Sequence, residues 1–122
     1  MRSKYGNKRV GFDGLYFDSK KERNRYILLS QLLKAGKISD LRMQVPYVLL
    51  PAIYETVEKQ LKTKTKMVQR CAQRAVHYVA DFVYKDKEGN EIVEDSKGMK
   101  TKEYILKKKM MRALLGIEIK EV

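Results

Sequence analysis

The chain has 122 residues, 43% of them hydrophobic, which is enough for the core of one domain, expected over 1–122, and too few for two. Twenty-seven lysines and arginines against 15 aspartates and glutamates leave a net charge of +12, an excess that points to a polyanionic partner. No apolar run reaches the roughly 18 residues of a membrane helix, the opening Met1 to Gly6 leads into no apolar signal region, and the single cysteine, Cys71, excludes an intrachain disulfide and a cysteine-based zinc site. The expectation is a soluble protein of a reducing cytoplasm.

Residues 1–10 are polar and basic and are expected to form a flexible arm. Val10 to Phe17 alternates around Asp13-Gly14, the signal of a small hairpin or a tight bend. Ser19 followed three residues later by Glu22 has the spacing of a capping box, so a first helix is predicted from Lys20 to Ala35, with Gly36 at C′. Tyr26, Leu29 and Leu33, with Leu28 and Leu32 beside them, form its apolar stripe, and Glu22 lies at the N-terminal end of that stripe. Its carboxylate can therefore face a sheet, although capping alone would also explain the residue.

Leu41 to Leu50 reads as an extended segment in which Pro46 argues for an edge or a bulge. Gln44 sits there between apolar neighbours; such a residue is more often a satisfied hydrogen-bonding group than a catalytic one, and it is kept as a secondary candidate. Residues 51–66 place Tyr54, Val57 and Leu61 at helical spacing ahead of the basic Thr63-Lys64-Thr65-Lys66, a pattern compatible with a short helix, a long hairpin loop or a flap over substrate. Met67 to Tyr84 is strand-like, with Val76, Tyr78, Ala80 and Phe82 on one face and His77, Val79, Asp81 and Val83 on the other. His77, the sole histidine, shares Asp81's face and is the other secondary candidate, a structural role being the commoner one. Cys71 reads as a small packed residue.

The polar run Lys85 to Asn90 joins that strand to Ile92-Val93-Glu94-Asp95-Ser96-Lys97 as a hairpin. Strand alternation puts Val93, Asp95 and Lys97 on one face and Ile92, Glu94 and Ser96 on the other. A turn centred near Glu88 or Gly89 sets Asp81 opposite the Asp95 to Lys97 region. Thr101 is a plausible N-cap for a second helix from Lys102 to about Leu115, ended by Gly116, with Ile105, Leu106, Met110, Ala113 and Leu114 on its buried side. Lys107, Lys108 and Lys109 cover nearly a turn of that helix with positive charge, and Ile117 to Val122 alternates as a last strand. The resulting order is helix, three strands, helix, strand.

Two carboxylates on neighbouring strands suit a hard divalent cation, because magnesium takes oxygen ligands and keeps waters that substrate phosphate can replace. Asp81 and Asp95 would be those ligands. Lys97 would orient or help deprotonate a bound water and stabilise charge on phosphorus, and Glu22 would bind through water or accept a proton. The plainer alternative is a hairpin salt bridge between these acids and Lys97.

Glu22, Asp81 and Asp95-Ser96-Lys97, in that order and on those element types, resemble the PD-(D/E)XK nuclease superfamily, with Ala80 where the family's proline is usual. The likeness spans about Ser19 to Val122. The wording Phe17 to Glu22, then Gln44, then Tyr78 to Phe82, then Val93 to Gly98 is similar to a small phage- and prophage-encoded branch described as Holliday-junction-resolvase-like or endonuclease-like. The resemblance implies an α/β (α+β) restriction-endonuclease-like core, a central mixed sheet flanked by helices. It also implies a Mg²⁺-dependent endodeoxyribonuclease, with Mn²⁺ able to substitute, acting on DNA, branched or otherwise. Glu22, Asp81, Asp95 and Lys97 would be catalytic, the three acids would hold metal, and Lys100, Lys102, Lys107, Lys108 and Lys109 would contact phosphates. A junction cut symmetrically would call for a homodimer, and a phage-encoded protein would act in the bacterial host cytoplasm. The competing class is a non-catalytic basic nucleic-acid-binding module on a degenerate nuclease fold. A membrane-surface role is disfavoured, because neither helix pairs a bulky aromatic face with a uniformly basic one.

Overall fold

Capping chemistry sets both helices. In the computed structural model, which describes residues 10–122, helix α1 runs Lys20–Lys34, with Ser19 Oγ accepting the Glu22 amide at 3.1 Å. It closes in a Schellman turn, Lys37 N–H donating to Leu32 O at 2.9 Å. Helix α2 runs Lys102–Leu115; Thr101 Oγ1 accepts the Tyr104 amide at 3.1 Å, and Gly116 takes the left-handed cap at φ 67°. Ahead of α1, strands β1 (Val10–Phe12) and β2 (Leu15–Phe17) pair through Asp13-Gly14, whose φ angles of 53° and 77° are those of a type I′ turn. Apart from Val10, the arm expected over residues 1–10 lies outside the described residues.

The remaining strands are β3 (Ser39–Leu50), β4 (Ile53–Gln60), β5 (Thr65–Gln73), β6 (Val76–Lys85), β7 (Glu91–Asp95) and β8 (Ile119–Glu121). Four of them form a mixed sheet in the order β3-β6-β7-β8; β3, β6 and β7 are antiparallel, and α2 is the crossover that lets β8 lie parallel to β7. The fold is α+β with a helix on each face. Leu29 of α1 packs with Phe82 and Tyr84, supported by Tyr26, Leu41, Met43 and Ile92. Tyr104 and Met111 of α2 pack with Leu49, Tyr78, Ala80, Val83, Val93 and Ile119 on the opposite face. Among the described residues no helix is long and apolar enough to cross a membrane.

Four expectations are corrected. Residues 51–66 are not a loop: they supply β4 and the start of β5, an antiparallel hairpin inserted between β3 and β6. Met67 to Tyr84 is accordingly two strands, broken at Arg74-Ala75, and Cys71 is exposed on β5 instead of packed. The face assignment of β6 also changes partway along. Tyr78 and Ala80 join the α2 cluster, whereas Phe82 joins the α1 cluster and Val83 returns to the α2 side. β3 inverts at the same level, Val45, Tyr47 and Leu49 facing α2 while Leu41 and Met43 face α1. The inversion coincides with Gln44, which takes a left-handed φ of 52° where a regular strand residue would be extended. Finally, the packed side of α2 is Tyr104 and Met111 with the expected Met110 beside them, whereas Ile105, Leu106, Ala113 and Leu114 are exposed and do not form it. The half-buried Lys107 and Lys108 flank the packed stripe with their aliphatic stems, which is why the apolar count on the other side misled.

Candidate active site

The inversion point of β3 and β6, the N-terminus of α1 and the C-terminal end of β7 converge, and the predicted acids meet there. Glu22 sits in the first turn of α1, but only half of a capping box forms: its amide goes to Ser19, while its carboxylate turns inward and Oε1 accepts from Gln44 Nε2 at 3.0 Å. The same amide nitrogen lies 3.4 Å from Asp81 Oδ1, so Gln44 spans the two carboxylates. Gln44 is thus both the strained backbone position and the polar bridge, and a non-glycine residue held at positive φ is a common mark of a functional site.

Asp81 is fixed from its other oxygen. Ser96 donates to Asp81 Oδ2 twice, from its backbone amide and from its hydroxyl, each at 2.9 Å. Asp95 is 1% exposed; Oδ2 accepts from the Tyr78 hydroxyl at 2.5 Å and Oδ1 from the Lys97 amide at 2.9 Å. Glu94 points the opposite way, as strand parity requires: it is fully buried, accepts Arg25 Nε at 2.7 Å and Nη2 at 2.6 Å, and receives the Tyr84 hydroxyl. That pairing makes Glu94 part of the fold's support and leaves Asp95 as the acid of the site.

Electrostatics follow from this crowding. Glu22 is 9% exposed, and burial, reinforced by the charges of Asp81 and Asp18, pushes its pKa up to about 7; the Gln44 bond opposes the shift. Burial also raises the Asp95 pKa, with Asp81 adding to the rise while the Tyr78 bond and Lys97 pull it down. Tyr78 is driven well above the ordinary phenol range by burial and then by its bond to Asp95, so it stays a donor.

Lys97 follows β7. Its ammonium lies 5.3 Å from the centre of the Tyr104 ring, and its charge acts on Asp95. It borders a cavity of about 260 Å³ with His77, Tyr78, Thr101, Tyr104 and Lys107. His77 is therefore beside Lys97 and not among the acids. A second cavity of about 260 Å³ opens on the other flank, where Glu22 and Gln44 meet Tyr16, Phe17 and Asp18.

The lysines expected to touch phosphate are partly engaged within the chain. Lys100 pairs with Glu121 at 3.1 Å, Lys108 pairs with the same carboxylate, and Lys107 pairs with Glu103 at 2.9 Å. Lys102 and Lys109 are exposed on the face of α2 turned from the sheet. Exposed pairs of this kind contribute little, so a phosphate can replace the carboxylate partner.

Sequence reasoning missed Ser96, Tyr78 and Tyr104. The one signal available was for Tyr78: a buried tyrosine hydroxyl in an apolar strand seeks a partner, which pointed to nearby acids without saying which, whereas Tyr104 enters through its ring beside Lys97.

Among the described residues no group of three or more His, Cys, Asp or Glu side chains is already arranged to hold a cation. The donor chemistry nevertheless fits magnesium, which takes one or two carboxylates and keeps its waters. Asp81 Oδ1 carries only the long contact to Gln44, Asp95 Oδ1 carries one backbone bond, and each retains a lone pair.

Over residues 2–119 the chain matches the family described as "Protein of unknown function (DUF1064)", and it belongs to that family. No curated protein and no solved structure matches it.

Proposed function

We propose that the protein is a Mg²⁺-dependent DNA endonuclease of PD-(D/E)XK type, hydrolysing phosphodiester bonds with a preference for branched DNA such as four-way junctions. The observation that carries this reading is the gathering of Glu22, Asp81 and Asp95, with Gln44 bridging the first two and the charge of Lys97 acting on Asp95. A salt-bridged hairpin alone would not explain why the Glu22 carboxylate is turned from its cap to share Gln44 with Asp81, where burial and the charge of Asp81 oppose its ionisation.

In this reading Asp81 and Asp95 would hold Mg²⁺ or Mn²⁺, with Glu22 as the third acid that would assist in binding it. The bound ion supplies Lewis acidity and a water of lowered pKa. The chain's own groups do the rest. Ser96 and Tyr78 fix the two aspartates, and Gln44 sets the Glu22 carboxylate, whose pKa is raised to about 7 in the metal-free chain, where it can exchange a proton with water. Lys97 leaves the Tyr104 ring to meet the charge on the phosphate. Lys100, Lys102, Lys107, Lys108 and Lys109 position the backbone without reading bases.

The exposed apolar residues Ile105 and Leu106 on α2 support a homodimer, which two symmetric cuts would require. The setting that fits this chemistry is phage recombination or DNA processing in a bacterial host cytoplasm. Linear, flapped and four-way-junction DNA, each incubated with Mg²⁺, Mn²⁺ or EDTA, test the proposal. Cutting of the branched members with either metal and none in EDTA is expected. Failure to cut any member with metal present overturns it in favour of a binding module.

A further inference from the structure

We propose that the β4–β5 hairpin is a second polyanion-binding element, a β-ribbon arm that grips the backbone of duplex DNA at a distance from the carboxylates. The choice of DNA as the polyanion rests on the nuclease reading; the arm's chemistry does not.

The hairpin makes its substantial packing contacts within itself, and nearly all of it faces solvent. A lone two-stranded ribbon is at best marginally stable, and here Ile53, Tyr54 and Met67 are 50%, 64% and 56% exposed, so the element is built for something outside its own fold. Its charge says what. Residues 59–66 contain four lysines and no acid. Lys59 stands directly opposite Lys66 in the register, and Lys62 and Lys64 lie in the turn between them. Like charges placed directly across a ribbon destabilise it, and an anion between them reverses the sign of that term. Of the arm's two acids, Glu55 lies nearer the base and is already paired with Arg70 at 2.5 Å, while Glu58 stands beside Lys59 on the next position of β4, where strand alternation turns it to the other face. None of the four lysines has an ion-pair partner among the described residues.

A two-stranded ribbon fits the major groove of B-form DNA, which is about 12 Å wide. A bilayer is the poorer match, because Leu61 is the only apolar side chain among residues 59–66, the lysine-bearing end of the arm. From Asp81 back along β6 and β5 to Lys66 is fifteen residues, a reach of at most about 50 Å, or about 15 base pairs at 3.4 Å each. The arm therefore engages phosphates within at most about 15 base pairs of the proposed point of cleavage.

The test compares the full chain with a variant carrying Lys59→Gln, Lys62→Gln, Lys64→Gln and Lys66→Gln, and with one carrying Lys→Arg at the same four positions. Binding to a duplex of about 30 base pairs, about twice the arm's reach, is followed by fluorescence anisotropy in EDTA across a salt series. The Gln variant should bind at least about tenfold more weakly, with the slope of log K against log salt reduced by about 3 to 4, while the Arg variant matches the parent. Equal affinity and slope in parent and Gln variant overturn the proposal, as does a parent that binds no duplex. Phosphatidylserine vesicles bound more tightly than duplex, with the difference lost in the Gln variant, overturn it in favour of a membrane. Cleavage in Mg²⁺ is scored separately. A parent that cuts nothing while the Gln variant loses binding defeats the nuclease reading and leaves the arm standing; a Gln variant that binds and cuts like the parent does the reverse.

Discussion

Replacing Glu22 by Gln should stabilise the metal-free protein at pH 8. The carboxylate is 9% exposed, and its pKa is raised from 4.5 to about 7 by burial and then by Asp81. In the unfolded chain it ionises near 4.5, so between pH 4.5 and 7 the folded state holds a proton that the unfolded state has lost. Stability conferred by that proton is fully present below pH 4.5 and is lost as pH rises through about 7. The full shift corresponds to about 3 kcal/mol, and solvent reaching one side of the group reduces this to about 1–2 kcal/mol. Gln is the shape of the protonated acid, and its carbonyl can still accept the Gln44 bond. The gain from the substitution should therefore be near zero at pH 4, grow between pH 4.5 and 7, and level off above it. Urea unfolding of both proteins in EDTA at pH 4, 6 and 8 reads the difference directly. A variant equal to or less stable than the parent at pH 8 would show that Glu22 is not held in a crowd of acids.

Two further substitutions probe the supports. Tyr78→Phe removes the hydroxyl that lowers the Asp95 pKa and should cost about 1–2 kcal/mol at pH 7 in EDTA. That cost should shrink as pH falls and Asp95 protonates, and a cost unchanged between pH 7 and 4 would contradict the assignment. Arg25→Met leaves the fully buried Glu94 without its two-pronged partner and should destabilise by about 3 kcal/mol in urea unfolding. A loss below about 1 kcal/mol would mean that Glu94 is served adequately by Tyr84 and the nearby Lys120.

The helices were legible because their ends are written in local chemistry: Ser19 three residues before Glu22, Thr101 three before Tyr104, and a glycine after each. Strand parity on β7 was equally local, and it separated Asp95 from Glu94 correctly. What was not legible arises from pairing over distance or from conformations without a sequence mark. Tyr54, Val57 and Leu61 mimic helical spacing because the β4–β5 hairpin pairs only with itself and has no buried face to enforce alternation. The inversion at Gln44 depends on a left-handed backbone that glycine or asparagine would have announced and glutamine does not. Tyr78 finds Asp95 seventeen residues away and Arg25 finds Glu94 sixty-nine away, so their roles exist only once the sheet is assembled. Gln44 was singled out with the commoner reading attached, and that reading holds: it is a satisfied hydrogen-bonding residue, and the groups it satisfies are two of the candidate acids, Glu22 and Asp81.

Asp95→Asn tests the central claim most directly, because the change keeps the shape of the side chain and the Tyr78 contact while removing the charge proposed to hold metal. Parent and variant would be given four-way-junction DNA in Mg²⁺ and scored for strand cleavage, with junction binding measured in EDTA. The account predicts that the parent cuts and that the variant loses cleavage by at least about a hundredfold with binding retained or tightened. A variant that cuts as the parent does, or a parent that binds the junction and leaves it intact in Mg²⁺ and Mn²⁺ alike, would contradict it.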